Sequence, residues 1–140
     1  TQDHRPPEIS LSNSYNGKCL DMWSVGCIMA EMLKGNGRPF FSYADDYPAA
    51  SLWSPYRHLS KIFRVLGTPP ESFFESGINS RKIERRHFIT HENQTLHRYF
   101  PWVSPKCLDL LERLLDYDPE NRCTVEEALM HPLFADLPED

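Results

Sequence analysis

The chain has 140 residues, 40% hydrophobic and 25% charged, with a formal net charge of −5. That length supports a single core of ordinary domain size, and the acidic balance argues mildly against nucleic acid as the main partner. The four cysteines, Cys19, Cys27, Cys107 and Cys123, show no C-x-x-C spacing, so they read as small core residues of a reducing compartment, neither a zinc site nor a redox pair. A chain that opens on Thr1 instead of methionine is expected to be a piece of something longer.

The region 1–17 carries Pro6-Pro7 and then a run of Ser and Asn. It reads as irregular loop with one short turn. The central helix is expected over 18–34. From Leu20 to Leu33 it is apolar on nearly every face, yet it is shorter than the ~20 residues a bilayer span needs. Such a helix reads as the buried axle of a larger core. Asp21 enters that axle, and a buried carboxylate requires donors; capping the start of the helix is its simpler role. Gly35 and Gly37 end the helix.

Residues 38–56 fit no period and read as a long ordered loop. Its aromatic side chains either pack onto the fold or mark a docking surface, and packing is the more economical expectation. The region 57–103 opens on an amphipathic helix, with Leu59, Ile62, Phe63 and Leu66 at spacings of three and four, and Gly67 stops it. Thr68-Pro69-Pro70-Glu71 has the form of a capping box before a short helix carrying Phe73 and Phe74. Residues 79–100 mix Arg, Lys, His and Glu with isolated apolars and predict helical pieces. His87 and His91, four apart, read as surface residues and not as metal ligands.

Two closing helices are expected over 104–134. Ser104-Pro105 opens the first, whose buried stripe is Leu108, Leu111, Leu114 and Leu115. Asp118-Pro119-Glu120-Asn121 makes a turn. Thr124-x-x-Glu127 is a second capping box, opening a helix through Met130 that His131-Pro132 ends. Residues 135–140 form an acidic tail with Asp136, Glu139 and Asp140. No segment alternates like a strand, so the fold class is mainly α.

Three motifs stand in order: Thr1-Gln2-Asp3-His4-Arg5-Pro6-Pro7-Glu8-Ile9, Asp21-Met22-Trp23-Ser24-Val25-Gly26, and Asp118-Pro119-Glu120-Asn121-Arg122 followed by the segment 126–134. Together they resemble the helical lower part of the C-lobe of eukaryotic protein kinases, with the N-lobe and catalytic loop absent from the segment. The branch is the one holding the mitogen-activated, cyclin-dependent and casein kinase 2 types, and the helix ending in Leu66-Gly67-Thr68-Pro69 is most similar to mitogen-activated kinases.

The resemblance implies a structural ion pair between Glu8 and Arg122. It implies that Asp21 supports the catalytic loop with Trp23 packed beside it, and that Thr1 and Arg5 bind substrate; without the catalytic loop, Asp21 is expected to be partly unsatisfied or exposed. The motif departs from its relatives at Asp3-His4-Arg5-Pro6, which points to an altered substrate loop or a weakly active parent. The acidic tail resembles the start of the docking patch of mitogen-activated kinases, and a frayed, solvated terminus explains it equally well. None of the catalytic motifs of phosphoryl transfer occurs: no G-x-G-x-x-G, H-R-D or D-F-G. The segment alone is therefore expected to be inactive and to hold no metal or cofactor. A serine/threonine kinase parent would use ATP and Mg, in the cytoplasm or nucleus. Its expected partners are protein substrates, docking proteins and the rest of the kinase domain, with self-association through exposed core and with neither nucleic acid nor membrane. The alternative is a non-catalytic scaffold built on a degenerate kinase lobe.

Overall fold

The computed structural model describes residues 2–41 and 54–138. Among them the regular structure is helical throughout. The segment before the central helix is more ordered than its Pro and Ser content suggested. A 3-10 turn spans Gln2–His4 and helix α1 spans Glu8–Leu11. Pro7 explains the second, since its ring fixes φ near the helical value and it stands at the N-cap with φ −61°.

Helix α2, Gly17–Lys34, is the longest element. Asn16 caps it by accepting the Lys18 N–H at 2.9 Å, and Gly35 closes it in the left-handed conformation at φ 68°. The axle is buried on one side only. Met22, Trp23, Gly26, Cys27 and Ala30 face the core. Val25, Ile28 and Met32 are 46%, 47% and 77% exposed. Asp21 stands on the same outer stripe, exposed and without a partner among the described residues. The expectation of a helix buried all round is therefore corrected, while Asp21 is exposed as expected of a chain without the catalytic loop. The apolar stripe finds no element of this chain to cover it among the described residues.

Helix α3, Pro55–Leu66, buries Leu59, Ile62 and Phe63 as the spacing predicted, together with His58 on the same face. Gly67 ends it at φ 104°. A side chain there would be strained by that φ and would meet the Asn93 backbone at 2.6 Å. The capping box expected at Thr68–Glu71 does not form. Helix α4, Glu71–Glu75, starts after Pro70 with no side-chain cap. Thr68 is diverted: its hydroxyl accepts the His91 N–H at 2.9 Å and donates to the Ile89 carbonyl at 3.2 Å. The predicted helical pieces in 79–100 are a 3-10 turn at Arg85–His87 and helix α5 at Leu96–Tyr99.

Helix α6, Pro105–Leu114, is capped by Ser104, which accepts the Cys107 N–H at 3.3 Å. Its Leu108, Leu111 and Leu114 are buried, as is Leu115 just beyond. Helix α7, Val125–Leu129, is capped by Thr124, and a 3-10 turn at Pro132–Phe134 follows. The core lies where α2 and α6 cross, with Trp23, Phe63, Phe100 and Leu111 at its centre. Phe40 and Phe41, which begin the 38–56 loop, are buried in it; the remaining aromatics of that loop, in residues 42–53, lie outside the described residues.

The crossing is close because Gly26 has no side chain. A Cβ there would meet Leu115 Cδ2 at 2.8 Å and Leu114 Cβ at 3.0 Å. Gly26→Ala is expected to push α2 off α6 and destabilise the chain by about 1–3 kcal/mol, the usual overpacking cost. Urea unfolding compared with the parent sequence measures it.

Candidate functional site: the substrate-type loop and its anchors

Residues 2–12 form a short ribbon of turns laid over α2 and α3, and each fixed point along it has an identifiable partner. Its far end is held by Glu8, 2% exposed, and Arg122, 3% exposed. The two planes meet in a bidentate pair, Nη1 to Oε1 at 2.6 Å and Nη2 to Oε2 at 2.9 Å. Such parallel charge-assisted bonds fix orientation as well as distance. The guanidinium also donates through Nη1 to the Cys19 carbonyl at 2.8 Å and through Nε to the Asp116 carbonyl at 3.0 Å. Its carbon lies 5.2 Å from the Trp23 ring centroid, a cation–π approach.

Local sequence aims Arg122. The Asp116 carboxylate accepts the Asp118 N–H and the Asp118 carboxylate accepts the Glu120 N–H, both at 2.9 Å. These are turns of the kind Asp favours, and they close with the Arg122 N–H on the Asp118 carbonyl at 2.9 Å. Trp23 is wholly buried, stacked on Phe41 at 5.5 Å and on Tyr117 at 6.5 Å. Its indole N–H has no nitrogen or oxygen acceptor among the described residues, and ring contacts dominate its packing. Tyr117 ties the ends of α6 and α3 together by donating to the Gly67 carbonyl at 2.6 Å, and burial raises its phenol's pKa well above the ordinary value.

The near end of the ribbon is held by two histidines that the sequence motifs did not single out. His4 donates from Nε2 to Glu31 of α2 at 2.6 Å, and the Ser24 hydroxyl donates to the His4 carbonyl at 3.0 Å. His58 of α3 donates from Nε2 to the Arg5 carbonyl at 2.8 Å, while its Nδ1 accepts the Ser10 hydroxyl at 2.6 Å. The neutral ring satisfies both partners. Burial, with the nearby Arg5 charge in the same direction, lowers its pKa to about 4. A signal for His58 exists in the sequence: it stands one residue before Leu59, on the face of α3 that the apolar spacing marks as buried. His4 carries no such signal.

Of the residues expected to form a site, Glu8, Arg122 and Trp23 come together, and Arg5 lies on the same ribbon, half-buried and anchored through its backbone. Asp21 does not join them; it faces outward from α2. Thr1 lies outside the described residues. Among those described, no three His, Cys, Asp or Glu side chains are grouped to hold a metal ion, and no helix is long and apolar enough to cross a membrane.

The protein kinase domain family model matches residues 1–134. The chain is 40% identical to the mitogen-activated protein kinase spm1 of Cytospora mali and 41% identical to the mitogen-activated protein kinase mpkA of Aspergillus fumigatus, each over 134 residues. Both alignments cover 94% of this chain and 29% of the relative. Cyclin-dependent kinase G1 of Arabidopsis thaliana is 38% identical over 146 residues, covering 99% of this chain and 22% of that protein. The chain thus spans about a fifth to a third of the length of the curated relatives it matches.

Two outcomes are expected. Glu8→Ala strands the Arg122 guanidinium in the core and should lower stability by about 3–5 kcal/mol, read from the urea midpoint. For His58 the unfolded ring takes a proton near pH 6.5 and the folded ring only near 4. The unfolded state therefore binds more protons between those values, and stability falls as pH drops through that window and levels below it. The size is up to about 3 kcal/mol, and His58→Gln should flatten the profile in urea titrations from pH 4 to 7.

Proposed function

We infer the function from one premise: the chain belongs to the protein kinase family. We propose that it forms the lower C-lobe of a serine/threonine kinase whose whole protein transfers the ATP γ-phosphate to protein hydroxyls. The observation that carries this is the buried Glu8–Arg122 pair, because it fastens the segment behind Thr1–Arg5 to the far end of the lobe. A loop that positions a substrate must be held against the pull of binding, and a bidentate buried pair does that.

The open stripe of α2 supports the same assignment. Asp21, Val25, Ile28 and Met32 line one face with nothing laid on it among the described residues. A catalytic loop supplied by the rest of the protein would bring backbone donors for Asp21 and apolar cover for the others. Without that cover, the stripe favours association between copies. The residues that would hold ATP and Mg are not in this sequence, so binding and chemistry belong to the remainder of the protein, placed in cytoplasm or nucleus. The contribution of this segment is positional: Arg5 and its neighbours present the substrate, and His4 and His58 fix their backbone.

A scaffold without catalysis is the second reading, favoured by one observation. His4 is committed to Glu31 and Pro6 is buried, so the loop is braced in a way its motif departure makes specific to this chain. The test is a phosphorylation assay. The whole protein with ATP and Mg should phosphorylate a serine/threonine peptide substrate, and the 140-residue chain alone should give no turnover above background. A whole protein that binds partners but never transfers phosphate would leave the scaffold reading standing. Turnover by the short chain would sink the account of its missing parts.

A further inference from the structure

The segment 81–86 reads Arg-Lys-Ile-Glu-Arg-Arg, a net charge of +3 in a chain whose total is −5. This concentration is displayed by a built loop. Asn79, buried, donates from Nδ2 to the Phe74 carbonyl at 2.9 Å and the Ile83 carbonyl at 2.7 Å, and its Oδ1 accepts the Ile83 N–H at 2.9 Å. The Arg81 N–H donates to the Leu11 carbonyl at 3.0 Å, and Asn13 N–H to the Ser80 hydroxyl at 2.9 Å. The loop is thereby pinned to the ribbon just beyond α1.

Lys82 is the residue this construction strains. It is the one non-glycine at positive φ among the described residues, at 54°. Glycine or asparagine suits that conformation better. The Lys82 ammonium is exposed and makes no hydrogen bond or ion pair among the described residues, so no internal contact accounts for a lysine here. A strained residue held in place by its surroundings and aimed at solvent points to a use outside the fold. Arg85 and Arg86 follow on the next turn: Arg85 is half-buried and donates from Nε to the Pro69 carbonyl at 2.9 Å, and Arg86 is exposed and paired to Glu84.

The loop also borders the substrate ribbon. The Tyr56 ring of α3 is 6.0 Å from the His87 ring, and two residues along the same helix His58 holds the Arg5 carbonyl. We propose that the 81–86 loop is a docking surface for an acidic peptide segment of a protein that engages the substrate ribbon. Exposed Ile89 and Tyr56 flank it and give such a peptide apolar contact. The neighbourhood to substrate rests on the proposed function above; the binding of acidic peptide does not, and it is measured without ATP or turnover.

The experiment is fluorescence anisotropy of a labelled octaglutamate peptide with the 140-residue chain at low salt. Binding is expected, weakening as salt rises because exposed charges are screened. Lys82→Gly with Arg86→Gln should weaken it about fivefold, at the scale of two exposed charge contacts. Lys82→Gly alone should weaken binding while leaving the melting temperature unchanged or raised, since it relieves the positive φ. That opposition separates a docking role from a structural one. Lys18→Gln and Lys106→Gln, exposed on α2 and α6, should bind as the unaltered chain does. The proposal is overturned if the unaltered chain does not bind, if the loop variants bind equally well, if the controls lose as much, or if a short single-stranded DNA of equal charge binds more tightly.

Discussion

The Arg122 guanidinium joins three parts of the chain at one point. Its bonds reach Glu8 behind the substrate ribbon, the Cys19 carbonyl in the first turn of α2, and the Asp116 carbonyl after α6, and its face lies on Trp23. A buried ion pair is often no more stabilising than apolar side chains of the same volume. Its value here is geometric, because a planar fork accepts only one arrangement of carboxylate and carbonyls. Everything nearer the N-terminus than α2 takes its position from that arrangement, and the two histidines then refine it.

The core explains why the pair can be so dry. The Trp23 ring lies against the guanidinium, Phe41 and Tyr117 stack on Trp23 in turn, and Gly26 lets α2 settle against Leu114 and Leu115. Such close approach removes the water that would weaken the pair. The same helix leaves its opposite stripe uncovered. Thus α2 is a divider: one side is buried within this chain, and the other is left open among the described residues.

How legible this was depends on the residue. The stripes of α3 and α6 follow from spacing, because burial on one helical face leaves a period of three and four. The Glu8–Arg122 pair is separated by 114 positions, and no local pattern reports such a contact; only the resemblance of three motifs in order suggested it. Thr68 misled because a threonine before Pro-Pro-Glu has the form of a cap, whereas its hydroxyl serves residues 89 and 91, over twenty positions away. The apolar run of α2 misled for a related reason. The run is real, but burial needs a partner surface, and the described residues supply one for a single side of the helix.

The separation of the pair has a consequence for how the protein comes into being. Closing a loop of that length costs about 4 kcal/mol of chain entropy, and contacts of such range form late. During synthesis Arg122 emerges after α2, α3 and α6 have had time to fold, since domains assemble as the chain appears. Until it arrives the ribbon of residues 2–12 lacks its far anchor. The order of translation therefore makes the fastening of that ribbon one of the last events in the assembly of the chain.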